Sequence, residues 1–161
     1  MQNARDSFYM ALRSRLASVN PSRTILMRGM ERPGVVVEDA EAPFSQMPND
    51  IFVLRWNSLG VDLDLGLMMA VEECEIIYQT SGSQSYGGLD RGRALSGMDE
   101  ELLSALSPYS TQKYSYTSTP SLAMETHVFW SDPVFSPVTV SRDVLMRTAR
   151  VSVYSYQEQG E

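Results

Sequence analysis

The chain has 161 residues, 43% of them hydrophobic and 20% charged, a balance that supplies one domain with a packed core and excludes a disordered chain. A net charge of −7 argues against a dedicated nucleic-acid binder, which needs concentrated lysine and arginine against phosphate. No apolar run approaches the roughly 18 residues of a membrane span, and the single cysteine, Cys74, excludes an intrachain disulfide.

The first twenty residues, MQNARDSFYMALRSRLASVN, contain no signal-peptide core, because Arg5, Asp6, Arg13 and Arg15 interrupt them. Folding in a cytoplasm is therefore expected. Ala4, Phe8, Ala11/Leu12, Leu16 and Val19 recur at helical spacing, and Asn20-Pro21 is a stop, which predicts an amphipathic helix over about 4–19. A short strand follows at 24–28, then Arg-Pro-Gly and the β-branched run 34–38. An acidic loop with two prolines, 39–50, reads as a surface excursion.

Three stretches rich in strand formers come next: IFVLRW (51–56), VDLDLG (61–66) and LMMAVEECEIIYQT (67–80), with a turn expected at 57–60. In the second, Val61, Leu63 and Leu65 alternate with Asp62 and Asp64, the period of a half-buried strand. The glycine-rich run GSQSYGGLDRGRALSGM (82–98) then leads into Leu95, Met98, Leu102 and Ala105/Leu106, one face of a helix. Ser96 and Asp99 fit a capping box and would start that helix at 97, with Asp99, Glu100 and Glu101 in its favourable first turn. Gly92 and Gly97 each cost a helix interior roughly 1 kcal/mol. Either the helix starts late or something packs closely against them, and close packing is the expectation. Pro108 stops the helix. After a second excursion at about 107–121, strands are expected at 113–118, 122–130 and 144–157. The order predicts one α+β domain over 1–161, with two amphipathic helices on a mainly antiparallel sheet.

The glycine run is not a P-loop: Gly82-x-x-x-x-Gly87 is followed by Gly88-Leu89 where lysine and a hydroxyl residue must stand. It contains no G-x-G-x-x-G either. It reads as a flexible strand-to-helix joint whose tip, Ser83 to Tyr86, reaches outward, with Tyr86, Arg91 and Arg93 placed to touch a neighbouring subunit. His127, the only histidine, has no cysteine or carboxylate partners at metal-ligand spacing and reads as core or edge packing. Asp62 with Asp64, and Glu72, Glu73 and Glu75, read as solvated polar faces. Cys74 reads as buried, and the acids around it would raise its thiol pKa, which works against a Cys74–His127 nucleophile. No catalytic, cofactor or metal site emerges.

Charge is unevenly spread, at +4 over residues 1–30, −8 over 31–75 and −3 over 76–161. Twelve of the 13 basic residues are arginine, the cation that favours interface pairing, and only Lys113 is lysine. The first two blocks would supply complementary faces if folding set them apart.

Element order carries one resemblance. An N-terminal amphipathic helix (DSFYMALRSRLASV) precedes short strands; a sheet then ends in a Gly/Ser loop and a second helix (RALSGMDEELLSAL), and paired strands close the chain (AMETHVFW and RTARVSVYSY). The arrangement resembles the tail terminator or tail-completion proteins of long-tailed phages. That resemblance implies a non-enzymatic virion structural protein, assembled in the host cytoplasm as a homo-oligomeric, commonly hexameric ring. Its implied partners are the tail tube protein and a head–tail connector or neck protein. DNA would pass through the lumen without specific binding, and no cofactor or membrane is implied. A ligand-binding or regulatory domain, with the 82–93 loop gating a pocket, and another neck or head-completion component are the alternatives.

Overall fold

The computed structural model describes residues 1–41, 46–64 and 66–158, with the Asp64 side chain also left aside. Its elements run α1 (Gln2–Val19), β1 (Thr24–Met27), β2 (Met30–Pro33), β3 (Val35–Val37), α2 (Glu38–Glu41), β4 (Phe52–Asp64) and β5 (Leu67–Thr80). They continue with a 3-10 turn (Gln84–Tyr86), α3 (Arg91–Leu106), β6 (Ser110–Ser115), β7 (Leu122–Trp130), β8 (Val134–Phe135), β9 (Thr139–Ser141) and β10 (Val144–Tyr156). The α+β class read from the sequence is the observed one.

The main sheet has the order β3-β4-β5-β10-β7-β6, with β8 and β9 pairing along β10. Every pairing in it is antiparallel except β3 with β4. The last strand of the chain thus lies in the middle, paired to β5 over twelve residue pairs from Leu145↔Thr80 to Tyr156↔Met69. On one face, Cys74, Ile76 and Tyr78 of β5 meet Ala149, Val151 and Val153 of β10 and Val128 and Trp130 of β7. Both long helices bury their stripes here, Ala4, Phe8, Leu12 and Leu16 from α1 and Leu95, Met98, Leu102, Ala105 and Leu106 from α3. These stripes match the expected ones except Val19, which is exposed at the end of its helix.

Aromatic edges and polar ties lock the layers. The Phe8 ring meets Trp130 and Trp56 edge-on, at 5.2 and 5.9 Å between centroids. Trp130 Nε1 donates to the Leu106 carbonyl at 2.8 Å, and Arg15 donates to the Ala105, Pro108 and Ser110 carbonyls, so the C-terminus of α3 finds its donors. β1 and β2 form a separate hairpin whose loop, Arg28-Gly29, has φ of 50° and 78°, as a two-residue turn that follows strand twist requires.

Several expectations change. No turn interrupts 57–60: β4 runs continuously to Asp64, and the sequence irregularity there is a bulge between Trp56 and Ser58. The hairpin reverses between the paired Asp64 and Leu67, with Gly66 at φ 81°. The third helix starts at Arg91, its N-cap Asp90 makes no side-chain cap bond, and Ser96 is mid-helix, so no capping box forms. Asp99 and Glu101 accordingly sit in the helix middle and serve ion pairs instead: Arg147 with Asp99 at 2.5 Å, Arg23 with Glu101 at 2.6 Å. Nothing lies within 4 Å of a Cβ added at Gly92 or Gly97, so close packing does not explain either glycine. β6 covers 110–115 rather than 113–118 and lies inside the stretch read as an excursion. Of the loop expected at 39–50, residues 42–45 lie outside the described residues, as does Leu65 of the alternating run.

Candidate assembly surfaces

The β4–β5 hairpin is longer than either helix packed on the sheet. A strand advances about 3.3 Å per residue and a helix about 1.5 Å. The 14 residues of β5 therefore span roughly 46 Å, against about 27 Å for the 18 residues of α1. Near the base, Phe52 and Leu54 of β4 face the helices at 0% exposure, opposite Tyr78 and Ile76. Beyond the bulge, Leu59 pairs with Glu72, Val61 with Ala70 and Leu63 with Met68. The one-residue shift moves the odd-numbered residues of β4 onto the helix-side face, so the apolar stripe continues outward, outside the core cluster that the helices bury. Leu59, Val61 and Leu63 are 46%, 49% and 74% exposed, and Leu67 and Met68 at the tip are also open.

Where the arm leaves the core, Glu72 is 2% exposed and pairs with Arg5 of α1, whose guanidinium lies 5.2 Å from the Trp56 ring centroid. Glu72 is therefore not on the solvated face expected for it, because the alternation of β5 turns it inward with Ala70 and Cys74. Glu73 points outward, and Glu75, held below the usual carboxylate range by Asn57 and Arg150, pairs with Arg150 at 2.9 Å. Cys74 is fully buried, and burial first, then Glu72 and Glu75, pushes its thiol far up. His127 is exposed on β7, its ring 6.2 Å from that of Phe129, while Cys74 faces the core. The two cannot pair.

At the other end of β5 stands the glycine-rich joint. Gly82, Gly87 and Gly88 have φ of 72°, 60° and 79°, and a Cβ at Gly82 would meet Asp90 Oδ1 at 2.7 Å. Left-handed backbone and a close carboxylate account for these three glycines without a phosphate. Asp90 Oδ1 already accepts the Ser83 amide at 2.8 Å, and Arg91 Nε donates to the Gly88 carbonyl at 3.0 Å. A shallow cavity of about 340 Å³ borders the loop, with Arg91 and Asp143 among its lining. Tyr86 is 67% exposed and Arg93 is exposed on the first turn of α3, whereas Arg91 folds back onto its own loop. Sequence reasoning missed Leu89, 93% exposed beside them, and the apolar arm at the opposite end. The unusual length of two adjacent strands was the available signal for the arm.

The charge blocks interleave rather than oppose one another. Arg5 meets Glu72 across the first two blocks, Arg23 meets Glu101, and Arg15 serves backbone carbonyls. Among the described residues, no group of three or more His, Cys, Asp or Glu side chains is arranged to hold a metal ion, and no helix is long and apolar enough to cross a membrane.

No family model and no curated protein matches the chain. Among solved structures, it is similar to a chain of "Virion of native gene transfer agent (GTA) particle", with 10% identity and a TM-score of 0.41, over 96% of this chain and 98% of that one.

Proposed function

We propose that this chain is a non-enzymatic virion assembly subunit: a single α+β domain that forms a ring, caps the tail tube as a tail terminator and offers a surface for joining the head. One observation carries the reading. β5 ends in two unlike exposed projections, the apolar arm at one end and the Tyr86–Leu89 tip at the other. A subunit that closes a ring needs two different surfaces, since head-to-tail contacts use unlike patches. Tyr86 and Arg93, with Arg91 shaping the loop behind them, are the residues assigned to the contact between neighbours. Exposed aromatic and arginine side chains are the types that anchor such contacts. The resemblance in element order adds the tail tube and a neck or connector protein as partners, with the virion as the site of action.

Electron microscopy of the purified full chain, with and without tail tubes, tests this. Rings, or caps on tube ends, are expected, and Tyr86→Ser with Arg93→Glu should abolish them while leaving the monomer folded. A strict monomer at high concentration that never binds tubes overturns the reading. The cavity beside the 82–93 loop favours a second reading, a ligand-binding domain. A screen of anionic and nucleotide ligands separates the two, because a ligand-specific rise in Tm supports binding over assembly.

A further inference from the structure

The two edges of the main sheet are finished differently. β6 is closed by α1, where the Tyr114 amide donates to Ser7 Oγ at 2.9 Å and Arg15 Nη2 donates to the Ser110 carbonyl at 2.8 Å. At the other edge β3 pairs with β4 only from Phe52 to Leu54, and among the described residues no strand covers β4 beyond that point. The register decides which backbone groups face outward. Phe52 N–H donates to Gly34 on the outer side at 2.8 Å, so even-numbered residues look outward as far as the bulge. The register shift between Trp56 and Ser58 then passes that role to Leu59, Val61 and Leu63. The same three residues carry the exposed apolar side chains. An unpaired edge of this length is a template for another strand.

We propose that a second copy of this chain supplies that strand, through antiparallel pairing of arm on arm about Val61. The arm is self-complementary in that register. Val61 faces Val61 of the second copy, Leu59 faces Leu63, and Asp62 faces Gly60, so apolar residues meet and no acid opposes an acid. Asp62 is exposed on the arm, and a register centred on it would set like charges against each other. The contact is twofold and isologous, and it yields a continuous β5-β4-β4-β5 ribbon. It does not rest on the ring reading: a ring closed through the 82–93 loop would be joined to a second ring by its arms, and without ring closure the arms give a dimer.

The test uses the full chain. In Val61→Cys, mild oxidation should give a rapid interchain disulfide, since facing residues in a hydrogen-bonded antiparallel pair stand about 5.5 Å apart at Cα, within disulfide range. Cys74 is buried and does not compete. Ser104→Cys, exposed on α3, is the control and should cross-link at least tenfold more slowly. In Val61→Pro the lost amide is one that does not bond β5, so the fold should persist at nearly unchanged Tm, while the concentration-dependent dimer in sedimentation velocity should disappear. A wild-type chain without that dimer, equal cross-linking at positions 61 and 104, or undiminished association in Val61→Pro overturns the proposal. Rings that survive Val61→Pro while the ring-to-ring association is lost leave both readings standing. Rings with no arm cross-linking in Val61→Cys overturn the arm contact alone.

Discussion

The base and the arm of one hairpin, β4 with β5, are built from the same residue types and end in opposite environments. Phe52, Leu54, Ile76 and Tyr78 at the base are at 0% exposure, whereas Leu59, Val61 and Leu63 farther along β4 are between 46% and 74% exposed. The base is a continuous apolar run, Ile51 to Leu54 opposite Ile76 to Tyr78, buried on both faces, whereas the arm alternates apolar residues with Gly60 and Asp62. The layer above also differs: the base residues lie in the core cluster with α1 and α3, and Leu59, Val61 and Leu63 lie outside it. A strand pattern states which residues share a face, and the elements packed over that face decide how much of it is buried.

The largest way to break this contrast is to truncate at the base. Phe8→Ala removes a fully buried ring that touches Trp56 and Trp130, and should cost about 3–5 kcal/mol in urea denaturation. Leu63→Ala on the arm should stay within about 0.5 kcal/mol under the same conditions. Equal losses at the two sites would show that the arm is packed in solution.

The boundary between the regions comes next. Glu72→Gln leaves the Arg5 guanidinium without its carboxylate where the arm leaves the core. Breaking a buried pair costs about 3–5 kcal/mol; with Arg5 26% exposed, about 2 kcal/mol is expected in the same assay. Arg5→Met with Glu72→Leu should recover most of it.

Tyr78 sharpens the comparison through pH. Its hydroxyl donates to Asp99 of α3, and burial followed by that bond raises the phenol above its ordinary value. The unfolded chain therefore releases the proton first, near about pH 10. The contribution of this phenol is complete below that pH and declines as the pH rises further. Urea midpoints from pH 8 to about 11.5 should fall more steeply for the wild type than for Tyr78→Phe. Parallel profiles would remove Tyr78 from the account.

The smallest effect lies on α3. Gly97 has open space where a Cβ would stand and no positive φ, so Gly97→Ala should stabilise by about 0.5–1 kcal/mol, seen as a small rise in Tm. A loss of stability would mean that a neighbour in an assembly, or in the monomer, needs the bare backbone there.

Much of this architecture was legible because its signals are local. The stripe Leu95, Met98, Leu102, Ala105 and Leu106 predicted the buried face of α3, and β7 and β10 fell where β-branched and aromatic residues concentrate. The misreadings share one cause. Asn57-Ser58-Leu59-Gly60 looks like a turn, Ser96 with Asp99 looks like a cap, and Glu72 looks solvated, yet partners distant in the chain decided each. β5 carries β4 through the bulge; Tyr78 and Arg147 claim Asp99; Arg5 claims Glu72. Of the surface assigned to a neighbour, Tyr86 and Arg93 are free to reach one and Arg91 is folded inward. The apolar arm went unread because periodicity reports a face, not its cover.

The sequence by itself determined the α+β class, the two amphipathic helices and the alternation along β10, since propensity and period act over a few residues. Only the tertiary structure decided that the last strand fills the centre of the sheet, that α1 closes one edge, and that a bulge carries an uncovered apolar stripe beyond the core. Those outcomes depend on which distant segments reach one another and how far they extend, and no local pattern encodes either.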